Sequence, residues 1–126
     1  MNIPNDRKYT DHDEWVLLEG DVVTLGISDF AQDALGELVH IELPEVGDTL
    51  DAGEPACEVE SVKAVAEVFT PVGGEVVEVN EELDGEEETV NSDPYGTGWL
   101  VKIRVTDGDL SGCMDADTYR AKIGQN

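Results

Sequence analysis

One lysine stands in a segment built for exposure, Glu60-Ser61-Val62-Lys63-Ala64, in a chain with only four lysines. If the chain folds back about a two-residue tip at Val62-Lys63, its flanks pair as Ser61 with Ala64, Glu60 with Val65, Val59 with Ala66, Glu58 with Glu67 and Cys57 with Val68. Alternation then puts Ser61, Ala64, Val59, Ala66, Cys57 and Val68 on one small, apolar face and carboxylates on the other. A primary amine at the exposed tip of a hairpin with a clean buried face is placed where another enzyme can reach and modify it. Turn chemistry runs against this register, since two-residue hairpin turns favour Asn, Asp or Gly at positive φ and Val62 is β-branched. Two solutions stay open: tertiary packing holds an awkward turn, or the register is shifted by one residue.

Other chemistry is thin. Gly96-Thr97-Gly98 lacks the further glycine and the strand-to-helix context of a phosphate loop. His12 and His40 each stand alone, so no metal site is expected. Cys57 and Cys113 lie far apart without CxxC spacing and read as structural thiols. No Ser, Cys or Thr sits in a nucleophile elbow or triad, and the many carboxylates follow composition before catalysis. No catalytic residue is assigned.

The elements that must position Lys63 follow from pattern. Glu14 to Ile27 reads as two strands about a Gly20-Asp21 turn. A short helix is expected from Ser28 or Asp29, with Asp29 and Gln32 at cap spacing and Gly36 as its stop. Leu38 to Leu43 returns to strand before Pro44. After the Lys63 hairpin, Pro71-Val72-Gly73-Gly74 turns the chain into an extended Glu75 to Val79. Glu81 to Glu88 is expected as an acidic loop and Asn91 to Gly98 as turns, while Trp99 to Val105 alternates as a half-buried strand. The tail has a capping Asp115, with Ala116, Tyr119 and Ile123 at helical spacing and Gly124 at its end. Many short strands with two small helices make the chain mainly β.

At 126 residues, 40% of them hydrophobic, the chain is expected to form a single domain with its own core. Thirty acidic residues against seven basic ones give a formal charge of -23. That field repels nucleic acid and anionic membranes alike. It also destabilises the compact state until salt screens it, over about 3 Å at 1 M, so a salt-rich, halophilic setting is expected. Residues 1–7 carry neither an apolar core nor an Arg/Ser-rich amphipathic stretch, and no run approaches transmembrane length, so the cytoplasm is the expected location.

The Glu60-Ser61-Val62-Lys63-Ala64 segment, with Gly74 eleven residues beyond the lysine, resembles the lipoylation motif of the H protein of the glycine cleavage system. Further blocks stand in family order: Tyr9 through Trp15, Gly26-Ile27 through Ala31-Gln32, Leu35-Gly36, Leu43-Pro44-Glu45-Val46-Gly47, Pro71-Val72, Gly74-Glu75-Val76, Val79-Asn80, Val90-Asn91 through Asp93-Pro94-Tyr95-Gly96, then Gly98-Trp99-Leu100. The resemblance covers about Lys8 to Ile123 of a single domain spanning 1–126. Where the family has His-Glu-Trp, this chain has Asp13-Glu14-Trp15 with His12 one place earlier.

The resemblance implies a lipoyl/biotinyl-type barrel-sandwich hybrid, with a short helix after the first hairpin and a C-terminal helix. It implies lipoate in amide linkage on Lys63, and a carrier without catalysis of its own. The arm would take an aminomethyl group from the pyridoxal-phosphate glycine decarboxylase (P protein) to the tetrahydrofolate-dependent aminomethyltransferase (T protein). Dihydrolipoyl dehydrogenase (L protein) would then reoxidise it. Glu60 and Gly74 are expected to serve recognition by the lipoate-attaching enzyme or the shape of the hairpin. Glu14 and Glu67 are candidates to hold the loaded amine in a cleft. A lipoate relay, passing lipoyl groups to other proteins from the same lysine, is the alternative.

Overall fold

Strand pairing in this chain follows the alternation of small β-branched residues, and the resulting elements divide between two sheets. The computed structural model describes residues 1–124. Its strands are β1 (Lys8–Tyr9), β2 (Glu14–Glu19), β3 (Val22–Ile27), β4 (Leu38–Glu42), β5 (Thr49–Leu50), β6 (Pro55–Ser61), β7 (Val65–Phe69), β8 (Gly73–Val79) and β9 (Val101–Asp107). Helices α1 (Asp29–Leu35), α2 (Glu88–Ser92) and α3 (Ala116–Lys122) interrupt and close the series. One sheet runs in the order β1-β2-β3-β9-β8-β5, the other β4-β6-β7.

The alternating faces of the two sheets meet in a shared core that includes Val16, Leu25, Val59, Val68, Val76, Leu100 and Ile103. Full burial of each such side chain contributes about 1.5–3 kcal/mol. A second cluster ties the chain's first residues and α3 to β1 and β2. In it Tyr9 stacks on Tyr119 with centroids 4.6 Å apart, and Trp15 Nε1 donates to the Pro94 carbonyl at 2.9 Å. The mainly-β hybrid of two sheets with a short helix after the first hairpin and a C-terminal helix is the architecture expected from sequence.

Several local expectations change. The cap of α1 is Ser28, whose hydroxyl accepts from Ala31 N at 3.1 Å, and Asp29 instead accepts from the Gln32 side-chain amide at 2.7 Å. Adjacent Ser and Asp both cap well, and only the backbone decides between them. The acidic stretch is no simple loop: Glu81–Leu83 forms a 3-10 turn and Glu88 opens α2, because Leu83 and Val90 are buried and pull the flanking glutamates into turns. Strand β8 begins at Gly73, two residues earlier than expected, and β9 begins at Val101, two later than expected.

Candidate functional site

The Lys63 hairpin has the register read from sequence. Cys57 pairs with Val68, Glu58 with Glu67, Val59 with Ala66 and Glu60 with Val65, and Ser61 N donates to the Ala64 carbonyl at 2.8 Å. The awkward turn is resolved without positive φ, since Asp13 is the only non-glycine residue in that region among those described. Ser61 replaces the missing turn chemistry with its side chain. Its hydroxyl oxygen accepts from Lys63 N at 3.2 Å and Ala64 N at 3.0 Å, so Oγ takes the place of the Ser61 carbonyl as the turn's acceptor. Packing adds a second hold, because Val62 N donates to the Glu37 carbonyl at 3.1 Å, in the connection between α1 and β4. Both of these hold a tip on which Val62 and Lys63 are exposed.

Helix α1 separates two recesses near this tip. Ala31, Ala34 and Leu35 face a recess of about 200 Å³ whose other walls include Ile27, Val59 and Val68. Gln32, Asp33 and Gly36, on the opposite helical face, border a groove of about 470 Å³ closed by Glu37, Glu88 and Asn91. Asn91 pins this region: its amide donates to the Gly36 carbonyl at 2.8 Å and to Gln32 Oε1 at 3.0 Å, and its Oδ1 accepts from Leu38 N at 3.0 Å.

Glu14 and Glu67, distant in sequence, both line the apolar recess. They differ sharply in environment. Glu67 is exposed on β7. Glu14 is 1% exposed and both of its oxygens are engaged, one by the Thr10 hydroxyl and the other by Phe69 N at 2.9 Å. It thereby clips the start of β2 to the end of β7. Burial pushes its carboxyl above the ordinary 4.5, and the hydrogen bonds from Thr10 and Phe69 work against that rise.

The sign of the resulting pH dependence is fixed. Between the unfolded carboxyl's ordinary value and the raised native one, the folded protein keeps a proton that the unfolded chain has released. Stability from this group therefore falls as pH climbs through that window and stays lower above it. Glutamine offers a carbonyl to Phe69 N and an amide to the Thr10 oxygen without a charge. Glu14→Gln is expected to gain on the wild type as pH rises from 4 to 7 in urea melts. An unchanged difference between the two proteins across that range would contradict the buried-carboxylate account.

Glu60 points to solvent beside His40 and Val65. Gly74 requires a correction. It lies outside the Lys63 hairpin, in β8 of the other sheet, where it pairs with Leu50 and Val105. A Cβ there would stand 1.9 Å from the Arg104 carbonyl oxygen. Close strand approach, not hairpin shape, is what this glycine permits. Cys57 is buried, and burial pushes its thiol up to about 12, so it stays a packed, inert thiol. Sequence reading missed Ser61, Glu37, Gly36 and Asn91 as the frame of the tip. Only Ser61, two residues before the lysine, carried a local signal of its role.

Comparison with known proteins adds to this geometry. A family model described as glycine cleavage H-protein matches residues 7–126. Glycine cleavage system H protein of Thermus thermophilus is 51% identical over 121 residues, covering 95% of this chain and 94% of the relative. The protein of the same name from Alteromonas mediterranea is 51% identical over 126 residues, with 98% of each covered. A crystal structure of a glycine cleavage system H protein from Mycobacterium marinum superposes with a TM-score of 0.90 at 41% identity, covering 97% of this chain and 99% of that one.

Proposed function

The chain belongs to the glycine cleavage H-protein family, and on that premise we propose that Lys63 is the residue on which it carries its lipoyl group. Proteins of this family are lipoyl carriers of the glycine cleavage system and not catalysts, and lipoate is their covalent cofactor. The observation that supports Lys63 is its place: an exposed amine at the tip of a hairpin whose register, turn and tertiary anchor are all accounted for. Among the described residues it forms no ion pair within 4.0 Å, which leaves the amine open to an acylating enzyme.

The surroundings fit the group. A long apolar chain ending in a dithiolane matches the recess walled by Ile27, Leu35, Val59 and Val68, and the two carboxylates on that recess match a transferred amine. When bound, lipoate would supply a disulfide that opens to hold glycine's aminomethyl group on one sulfur and leaves the other as a thiol, the resulting dithiol being returned to the disulfide by the L protein. This chain's residues do the rest. The hairpin presents Lys63 to each partner in turn, and tethering replaces free diffusion with an effective concentration in the millimolar range, about 1 mM for a short flexible link. The apolar walls exclude water from a seated arm. Glu14 offers a buried acceptor on the recess, and Glu67, which borders it from β7 with its register beside Glu58 on the outer face of the sheet, is the second candidate to hold the amine. The proposed partners are the P, T and L proteins and a lipoate-attaching enzyme that meets Glu60. The whole chain acts as one carrier domain, with the cytoplasm as its place.

The test is reconstitution. The lipoylated chain added to P protein, pyridoxal phosphate and labelled glycine is expected to raise release of labelled carbon dioxide in proportion to its concentration. A lipoylated chain that leaves the release unchanged, while passing lipoyl groups to other acceptor domains, would favour the relay role.

We propose a salt-rich setting on two observations. The net charge is -23, and Glu42, Glu58 and Glu67 stand directly opposite one another across β4, β6 and β7 on the outer face. Like charges in such register oppose pairing by about 0.5 kcal/mol each, and concentrated salt screens them. The melting temperature is expected to climb steadily from 0.1 to 2 M KCl. Glu58→Gln should raise the low-salt value and flatten the rise. A protein most stable at low salt would overturn this.

A further inference from the structure

The chain opposite the Lys63 tip continues the ladder of β4 backwards, and the residue it places under the lysine has no side chain. Leu38 pairs with Ser61, the Glu37 carbonyl accepts from Val62 N at 3.1 Å, and Gly36 comes next, beneath Lys63. A Cβ on Gly36 would lie 3.3 Å from Lys63 Cε and 3.8 Å from Nζ. The lysine side chain thus lies down across Gly36, which itself borders the groove between α1 and α2, rather than standing free from the tip.

Gly36 is itself held firmly. Its φ of 84° and ψ of -162° fall in a region that is essentially reserved for glycine. Its N–H donates to the Gln32 carbonyl at 2.9 Å and its own carbonyl accepts from Asn91 at 2.8 Å. A bare, twice-anchored Cα is a fixed surface. Helix termination alone explains a glycine here, and it leaves the lysine's position over it unexplained.

Resting on Lys63 as the attachment residue, we propose that Gly36 is its positioning residue: a saddle under the end of the lysine's methylene chain that presents Nζ in one direction to the acylating enzyme. In that acylation the amine, after losing one proton, attacks the carbonyl carbon of an activated lipoyl ester or anhydride. The new C–N bond forms as the bond to the leaving group breaks, and a second proton departs as the nitrogen becomes an amide. Gly36 takes no part in bond-making. It narrows the directions from which the amine reaches the donor, which is where orientation contributes to rate.

The first test is made on the unmodified wild-type protein by NMR. A nuclear Overhauser effect between Gly36 Hα and Lys63 Hε protons is expected, and its absence overturns the saddle. The second compares Gly36→Ala with Gly20→Ala, which bears a positive φ of 66° but has nothing within 4 Å of an added Cβ. Each folded variant is assayed with a lipoate-attaching enzyme, and also with a small amine-acetylating reagent that needs no docking. Gly36→Ala is expected to lose the Overhauser effect and about tenfold in kcat/KM for lipoylation. Its reagent acetylation at Lys63 should change less than twofold, and Gly20→Ala should match the wild type in both. A folded Gly36→Ala lipoylated at the wild-type rate overturns the proposal. If Gly36→Ala fails to fold, the wild-type Overhauser effect decides alone. A wild-type chain that takes no lipoyl group at Lys63 overturns the attachment reading instead, and the Overhauser measurement stands apart from that failure.

Discussion

Lys63→Arg is expected to fold as the wild type does and to lose carrier activity. Arginine keeps the positive charge and the length of the side chain, but its guanidinium is a resonance-stabilised, permanently protonated group and is not acylated. Lys63 is exposed at the tip, and the bonds that form the turn use its backbone N–H with Ser61, Ala64, Val62 and Glu37, none of them its side chain. Stability should therefore stay within about 0.5 kcal/mol of the wild type. In the reconstituted glycine decarboxylation assay, activity should fall by about 100-fold or more, since the gain from tethering disappears with the attachment point. Residual activity near wild type would mean that another of the lysines carries the arm.

Gly74→Ala is expected to show the opposite pattern: a large loss of stability with lipoylation of the folded fraction intact. An added methyl would meet the Arg104 carbonyl oxygen at 1.9 Å and the Ile103 side chain at 3.0 Å, in the middle of the β8–β9 pair. Backbone cannot rotate out of the way as a flexible side chain does, so the strands must separate and their hydrogen bonds lengthen. Overpacking of this kind costs about 3 kcal/mol. Gly112, where nothing lies within 4 Å and φ is not positive, is the matched control, and alanine there should be neutral in urea unfolding. The lysine hairpin belongs to the other sheet, so folded Gly74→Ala should accept lipoate at nearly the wild-type rate. A stable Gly74→Ala that is not lipoylated would give this glycine the recognition role that its spacing from the lysine first invited.

These two residues mark where the sequence was legible. The hairpin register could be read because Cys57, Val59 and Ser61 alternate with Glu58 and Glu60, and a one-residue slip would bury carboxylates. The turn could not be read from backbone preference, because Ser61 supplies through its hydroxyl what Val62 and Lys63 lack. Gly74 was legible as a required glycine but not as a member of β8, since spacing along the chain does not say which sheet a residue joins. Glu14 and Glu67 follow from the resemblance, and both border one recess in the fold. That Glu14 is buried, with both oxygens engaged by Thr10 and Phe69, depends on strand ends far apart in sequence. Gly36 is the clearest limit. Its positive φ was implied by its place after α1, whereas its position under Lys63 arises only when β4 pairs with β6.

The most direct measurement is peptide mass spectrometry of the protein purified from its native source, covering Lys8, Lys63, Lys102 and Lys122. A lipoyl adduct on Lys63 and on none of the other three is the predicted result. An unmodified Lys63 in cells that lipoylate their other acceptor proteins would contradict the assignment of this hairpin as the carrier arm.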